Sequence, residues 1–353
     1  MLTRTAFRFS PHGSYAACLA SDGGAGWHVE HWPLDPARPP SPVPGLAPTG
    51  PHSRMLPLDD GGVLLHHATP DRHRIILGRP DRPARLLGTL AALGLQLLPH
   101  PAHDALALAI TTRSDPSATL WLLRRRDGEP RPLLTVSGLL IGGTWLDPAG
   151  RRLAVNRAYQ GGLTCVAVDL HDGSVEEIWP DHPSVRLLFA VPHAGLFVVA
   201  DDNGRIGWAC TPGGRLQWPA DLNRPHNPWP LAADVTGEQV AVRLDQGGRS
   251  RLLVYERHTD RAVVLPLPAG HLGDAAAWTP TGLRFAFTGP DRRTGVAEIA
   301  PSAAQAAGTF RLLADPDAPQ AFGAFGAFGA SGVSGVSGVS GAPDVAGVPA
   351  QAG

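Results

Sequence analysis

The chain has 353 residues, of which 30 are basic and 31 acidic, giving a formal net charge of −1 at pH 7. A near-neutral chain lacks the positive excess that general nucleic-acid binding needs to displace counterions from phosphates, so no nucleic-acid partner is expected. Hydrophobic residues make up 43% of the chain, which is enough to build a core, while 42 glycines and 36 prolines predict many turns.

The N-terminal segment reaches a turn at Pro11 before any apolar run long enough to serve as a secretory signal. No stretch of about 18 consecutive apolar residues follows, so we expect a cytoplasmic location and no membrane partner. Cys18, Cys165 and Cys210 are odd in number and lie far apart, which argues against a disulfide framework or a zinc site. We interpret all three as small buried residues.

One pattern recurs along the chain: Gly, two variable residues, an apolar residue, a residue that is usually Ala, and another apolar residue. Four copies fit well and three fit loosely, and their Ala-type positions are Ala17, Leu65, Ala107, Ala154, Val199, Ala241 and Ala286. Successive separations are 48, 42, 47, 45, 42 and 45 residues, the period of a four-stranded propeller blade. We place the repeated residue on the innermost strands, where crowding near the axis favours Ala.

Turn signals within each period support an all-β fold. Asp127-Gly128, Asp172-Gly173 and Gly213-Gly214 each separate two apolar runs, as two-residue hairpins require. Helical periodicity is nearly absent, and the prolines would break most helices. The fold class predicted is a seven-bladed β-propeller of four-stranded antiparallel blades over residues 1–316, with a range of six to eight blades left open.

The character of the chain changes at residue 317. The triplet AFG occurs three times over residues 321–329, and SGV three times over residues 331–339. Such triplets bury too little apolar area to offset backbone ordering, so residues 317–353 are predicted to be a disordered low-complexity tail. Slippage in the coding DNA explains Phe322, Phe325 and Phe328 better than a docking motif does.

Residues 10–18, SPHGSYAAC, resemble the S-P-D-G repeat of TolB-type propellers and of the propeller domains of prolyl-oligopeptidase-type serine peptidases. Residues 146–150 and 278–282 are looser copies. The resemblance departs from the family at His12, where the family has Asp. Gly270-His271, seven residues before Trp278, also resembles a WD40-like repeat. The chain contains no Trp-Asp dipeptide, so the WD40-like interpretation comes second.

In the peptidases that this propeller resembles, the catalytic Ser belongs to a separate α/β-hydrolase domain. The chain contains no G-x-S-x-G nucleophile elbow and no lysine for a phosphate-binding loop, so we predict no catalytic and no cofactor-binding residues. A metal site at His28 with His31, at His66-His67 or at His100 with His103 is disfavoured, because these residues lie in strands and turns. Residues 201–204 form a hairpin turn in this interpretation, not a calcium loop.

The sequence leaves the binding surface unknown. Residues 124–126, three arginines, are interpreted as a solvated hairpin edge. Trp145 and Trp278 hold equivalent repeat positions, which indicates core. Four other tryptophans stand by loops or strand ends and are candidates for a binding face: Trp32, Trp179, Trp218 and Trp229.

The leading functional hypothesis is a monomeric, non-enzymatic scaffold that binds a protein or peptide partner at one mouth of the propeller. The alternative is the detached substrate-gating propeller of a prolyl-oligopeptidase-like peptidase, whose partner is an α/β-hydrolase on another chain. An active site in the central channel would need clustered carboxylates or metal ligands, and none stands out in the sequence.

The repeated alanine generates a prediction about stability. Ala154→Leu and Ala286→Leu should each destabilise the fold by roughly 1–3 kcal/mol through overpacking, whereas Ala330→Leu in the tail should have no effect. Thermal denaturation measures the three variants against the wild type. Equal melting temperatures for all three would contradict the prediction.

Overall fold

The computed structural model describes residues 2–24, 26–35, 38–46, 49–69, 72–126, 129–224, 228–291, 293–300 and 309–314. The predicted tail, residues 317–353, lies outside the described residues, as does the Asp127-Gly128 turn. Within the described ranges, the helical segments are a 3-10 turn at Pro192–Ala194 and the one-turn helix α1 at Ala220–Asn223. No helix in the described part of the chain is long and apolar enough to cross a membrane.

Seven antiparallel sheets follow one another along the chain, each built from consecutive strands. We number them blades 1 to 7. Their strands are β1–β4 (Thr3–Phe9, Ala16–Ser21, His28–Trp32, Ser41–Pro42), β5–β8 (Arg54–Pro57, Val63–Ala68, Arg72–Arg79, Arg82–Ala91), β9–β12 (Gly94–Pro99, Ala105–Thr112, Ser117–Arg124, Pro130–Ser137), β13–β16 (Leu139–Trp145, Arg152–Tyr159, Gly162–Asp169, Val175–Glu177), β17–β19 (Arg186–Val191, Leu196–Ala200, Ile206–Ala209), β20–β23 (Pro228–Ala233, Gln239–Gln246, Arg249–Glu256, Arg261–Leu265) and β24–β27 (His271–Thr279, Gly282–Thr288, Thr294–Ala300, Thr309–Ala314).

The predicted seven-bladed β-propeller is therefore confirmed. In blade 5 the fourth strand is reduced to a single bridge between Trp208 and Gln217, followed by α1. The side chain of Asn223 replaces the missing ladder, because it accepts a hydrogen bond from Ile206 N at 2.8 Å and donates one to Ile206 O at 2.9 Å. These bonds satisfy main-chain groups that an open edge would expose.

The first strand of each blade packs against the first strands of both neighbouring blades, and β24 packs against β1, so the ring closes. We call β1, β5, β9, β13, β17, β20 and β24 the channel-lining strands. The upper face is the face where these strands begin, and the lower face is the face where they end. The turns that precede the second strands, such as residues 10–15, lie on the lower face.

The repeated Ala-type residue lies on the second strand of each blade, not on the innermost strand as predicted. It is crowded by the next blade across the sheet face, because Ala154 packs with Phe197 and Ala286 packs with Ala16. Both alanines are buried, so the physical reason for a small side chain is packing between blades.

The three loose copies of the repeat are out of register by one residue. Leu65, Ala107 and Val199 face the preceding blade, whereas their neighbours Leu64, Leu108 and Val198 face the next blade as the alanines do. A one-residue shift in a strand moves a side chain to the other face of the sheet. The equivalent positions, which we call the facing residues because they face the next blade, are Ala17, Leu64, Leu108, Ala154, Val198, Ala241 and Ala286.

No strand is exchanged between the two ends of the described chain, so blades 7 and 1 meet through side chains. A buried cluster that includes Phe7, Trp32 and Ala286 fills this seam. On the lower face, Arg284 Nη1 donates a hydrogen bond to Gly13 O at 2.7 Å. Gly13 has φ +64°, and a Cβ there would lie 2.8 Å from Thr279 Cγ2 of blade 7.

The close packing at the seam leads us to predict that a methyl group at position 13 lowers the stability of the protein. Gly13→Ala should destabilise the protein more than Gly173→Ala, because both glycines have positive φ but nothing lies within 4 Å of a Cβ at Gly173. Backbone strain of about 1–2 kcal/mol is common to the two variants, and the clash adds to it at the seam. Urea denaturation at one pH measures the difference, and equal free energies of unfolding would contradict the packing at the seam.

Candidate binding site at the mouth of the channel

One residue on each channel-lining strand lies at the same register level near the upper face. Each pairs with the residue two positions after the facing residue of its own blade, as Trp229 pairs with Arg243 and Ile141 with Asn156. The seven residues, which we call the mouth ring, are Thr5, Arg54, Gln96, Ile141, Arg186, Trp229 and His271. All are exposed except Gln96, which is half-buried.

The mouth ring combines cationic and apolar side chains and holds no acidic residue. Arg54 and Arg186 carry the positive charge. Trp229 is 55% exposed and Ile141 is 52% exposed, on blades 6 and 4. Between them, Leu188 is 40% exposed at the β-bulge of β17. Exposed apolar side chains grouped around one opening are typical of a binding surface.

Trp229 is held in place from below. The guanidinium of Arg243 lies 5.9 Å from the centre of the Trp229 ring. Arg243 is itself fixed by ion pairs to Asp274 and to Asp245, the latter at 3.1 Å. The two carboxylates restrain the Arg243 side chain, and its cation–π contact in turn restrains the exposed Trp229 indole.

Gln96 connects two neighbouring channel-lining strands, β9 and β13, through hydrogen bonds of its side-chain amide. Its Nε2 donates to Gly142 O at 2.6 Å, and Gly142 N donates to its Oε1 at 3.2 Å. Gly142 takes φ +69° at the β-bulge of β13, a conformation that favours glycine. The side-chain amide therefore acts here as a structural bridge.

A buried histidine pair stands behind Arg54. His73 Nε2 donates to Ala92 O at 3.0 Å, so its Nδ1 accepts from His66 Nε2 at 2.7 Å. Within the described residues, His66 Nδ1 has no hydrogen-bond partner. Burial, followed by electrostatic interaction with His73 and Arg54, lowers the pKa of His66 to about 4, so the His66 imidazole is neutral at pH 7.

Three other histidines that the sequence offers as candidate metal ligands, His28, His31 and His100, have contacts of their own. His31 packs against the Tyr15 ring at 4.8 Å, and His100 packs against Trp145 at 4.5 Å. His28 lies 3.8 Å from the carboxylate of Glu30. Over the ranges that the structure describes, no group of three or more His, Cys, Asp or Glu side chains could hold a metal ion.

Residues 201–204 form a tight turn whose acidic residue serves the backbone. The carboxylate of Asp201 accepts hydrogen bonds from Asn203 N at 3.0 Å and from Arg205 N at 2.9 Å. Although burial opposes ionisation, these bonds and the Arg205 guanidinium lower the pKa of Asp201. The hairpin predicted from Asn203-Gly204 is confirmed, since β18 pairs with β19 across it.

The arginine run at residues 124–126 belongs to the lower face and is partly structural. Arg125 pairs with Asp60 of blade 2, which also binds Arg79 at 2.5 Å. The two hydrogen-bonded arginines keep the pKa of Asp60 low against the effect of burial. The interpretation as a solvated edge is thus incomplete, because Arg125 links two blades.

The tryptophan candidates separate clearly. Trp32 and Trp179 are buried and Trp218 packs against a buried cluster, so of these four Trp229 is the one exposed on a face. Trp145 is half-buried, and its Nε1–H donates a hydrogen bond to Pro99 O at 2.6 Å.

Among the cysteines, Cys18 and Cys165 are buried as predicted, whereas Cys210 is exposed. The sequence indicates one member of the mouth ring, Trp229, as a candidate for a binding face, whereas the other six become apparent only from strand register.

Two concave regions lie away from the channel. One, of about 230 Å³, lies between blades 5 and 6 and is lined mainly by Trp208, Trp218, Tyr255, Arg257 and Asp260. The other, of about 810 Å³, lies on the outer rim between β8 and blade 3. In the first, the Arg257 guanidinium already covers the Trp208 ring at 4.4 Å, so the aromatic face is occupied.

Solved structures share this architecture. The β-propeller domain of the Trilobed protease from Pyrococcus furiosus, described as having an open velcro topology, aligns with a TM-score of 0.61 and 11% identity over 90% of this chain and 99% of that one. Pyrococcus horikoshii acylaminoacyl peptidase aligns with a TM-score of 0.60 and 10% identity over 89% of this chain. A prolyl endopeptidase aligns at 0.56 and 13% identity over 82% of this chain.

This chain spans 52% of the acylaminoacyl peptidase and 47% of the prolyl endopeptidase. No family model and no curated protein matches the sequence. At these identities the similarity establishes the fold alone. The molecule is a seven-bladed propeller of the kind found in these peptidases, closed without strand exchange in its described part and bearing a cationic and apolar mouth.

The buried His66 predicts a pH dependence of stability. Because the folded protein disfavours protonation of His66, the unfolded chain binds more protons between pH about 6.5 and about 4. Stability should therefore fall as the pH is lowered, by about 2 kcal/mol from this group between pH 7 and pH 5. His66→Asn should lose that part of the pH dependence, as measured by urea denaturation at both pH values.

His52→Asn, at an exposed position, is the matched control. It should keep the wild-type difference between pH 7 and pH 5. If His66→Asn also keeps it, His66 is not the group that couples protonation to folding.

Proposed function

We propose that this chain is a non-enzymatic binding module whose mouth ring takes an extended peptide segment of a protein partner. The observation that carries the proposal is the ring itself: seven register-equivalent positions, with two arginines, a histidine, an exposed Trp and an exposed Ile. Interface hot spots are enriched in Trp and Arg near the centre of the contact surface.

The chemistry of the ring favours a peptide that carries both carboxylates and apolar side chains. Arg54 and Arg186 offer bidentate hydrogen bonds to carboxylates. Ile141, Leu188 and Trp229 lie on three consecutive blades, and their exposed side chains offer apolar surface to an aromatic or aliphatic residue. A purely basic peptide meets like charge at the ring, which disfavours it.

A peptide library tests the proposal. Displayed decapeptides selected on the full chain should be rich in Asp or Glu together with Phe, Leu or Trp. For a selected peptide, Trp229→Ala or Arg54→Glu with Arg186→Glu should weaken binding at least about tenfold, measured by fluorescence anisotropy. Affinity should also fall as salt is raised, because the arginine contacts are exposed.

Two substitutions on the outer rim serve as matched controls. Arg82→Glu reverses a charge, and Val263→Ala trims an apolar side chain that is 48% exposed on an outer strand. Both should bind the selected peptide as the wild type does. Equal affinity for the mouth-ring variants and the wild type would refute the proposed site.

The alternative function is a detached gating propeller. It is favoured by the shared fold with peptidases, of which this chain spans about half the length. In that case the partner is an α/β-hydrolase on another chain, and the mouth admits its substrate. Affinity capture with the full chain distinguishes the two, since the alternative requires that a hydrolase be retained and that its peptidase activity change with Trp229→Ala.

A further inference from the structure

The last described strand ends on the path that leads to the channel mouth. In blades 1, 2, 3, 4 and 6 the fourth strand runs toward the upper face, and the chain then enters the channel-lining strand of the next blade. β27 of blade 7 runs the same way, but the next position in the ring is already filled by β1. β27 therefore ends on the side of the mouth, and β1 holds the strand position that follows it in the ring.

Strand register gives the number of residues that the chain needs to pass from the fourth strand of one blade to the mouth ring at the next blade. In each of these five blades, the fourth-strand residue aligned with the facing residue is Ser41, Arg85, Arg131, Glu176 or Val263. From these residues to the mouth-ring residue of the next blade, the chain takes 13, 11, 10, 10 and 8 residues. In blade 7 the equivalent fourth-strand residue is Ala314, because it pairs with Val296, which pairs with the facing residue Ala286. Counting 8 to 13 residues from Ala314 leads to residues 322–327.

That count falls on the AFG repeat. Phe322 and Phe325 lie inside the interval and Phe328 follows directly. Asp315 and Asp317 precede the repeat, and residues 315–353 contain no Arg, Lys or His. The segment thus carries a negative charge, opposite to that of the mouth ring, and aromatic rings that suit the apolar side chains of the ring.

We infer that residues 315–329 of this chain bind across its own mouth ring, with the phenylalanines against Trp229, Leu188 and Ile141, while Asp315 and Asp317 give the segment a charge opposite to that of the ring. The inference rests on the proposed function and adds its regulation: the tail competes with the partner peptide.

Tethering makes such competition effective even when the segment binds weakly. A short flexible linker gives an effective concentration on the order of 1 mM. With a dissociation constant of about 100 μM for the free segment, the attached tail lowers the apparent affinity for an added peptide about tenfold. The expected effect of freeing the mouth is therefore a tenfold gain in affinity.

The test uses the full chain and a fluorescein-labelled peptide with the sequence of residues 315–329. Phe322, Phe325 and Phe328 are changed together to Ala, and the matched control changes Val333, Val336 and Val339 to Ala at the same three-residue spacing. The Phe variant should bind the labelled peptide about tenfold more tightly than the wild type. The Val variant should bind as the wild type does, and Trp229→Ala in the Phe variant should abolish the gain.

A second readout follows the tail directly. Chymotrypsin cleaves after Phe, so cleavage at residues 322–328 of the full chain should be faster in Trp229→Ala with Arg186→Glu than in the wild type or in Arg82→Glu. Equal cleavage rates would overturn the inference, as would equal peptide affinity in the Phe variant and the wild type.

The two proposals fail in different ways. If library-selected peptides bind the mouth ring but the labelled tail peptide binds no variant, the tail inference is wrong and the proposed function stands. If neither kind of peptide responds to the mouth-ring substitutions, both are wrong. If the tail peptide binds but the Phe variant shows no gain, the segment does not occupy the mouth in the intact chain.

Discussion

Face-to-face packing of neighbouring sheets is the interaction on which the rest of this molecule depends. Each blade is a short antiparallel sheet that cannot bury both faces alone, so its apolar side chains are covered by the next blade. The facing residues, Ala17 and Ala286 among them, all point the same way around the ring. The seven residues at the mouth pair with the residues two positions beyond these facing residues on the second strands.

Blades 7 and 1 also depend on face-to-face packing, and in the described chain they share no strand. Side chains such as Trp32 and Ala286 fill it, and Gly13 lets the lower-face turn approach Thr279. β1 packs against β24 and β5, so the described strands complete the ring without any residue beyond β27.

Much of the fold could be predicted from the sequence, because blade period and turn residues are local signals. Blade number and hairpins followed from the Gly-x-x-φ-Ala-φ repeat and from turns such as Asp172-Gly173. The three loose copies were misplaced by one residue, since Leu64 and Leu65 are equally apolar and only packing decides which faces the next blade. Of the candidate site, the sequence indicates Trp229 alone, because the other ring residues, such as Arg54, lie in unrelated local sequences and come together only through strand register.

Fluorine NMR on the full chain labelled with 5-fluorotryptophan tests the central claim, that peptides bind at the mouth ring, most directly. The chain has nine tryptophans, and Trp229→Phe assigns the signal of interest. The account predicts that adding a library-selected acidic and aromatic peptide shifts the Trp229 resonance and leaves those of the buried Trp32 and Trp179 in place. A saturating peptide that shifts other tryptophans while Trp229 stays unchanged would contradict it.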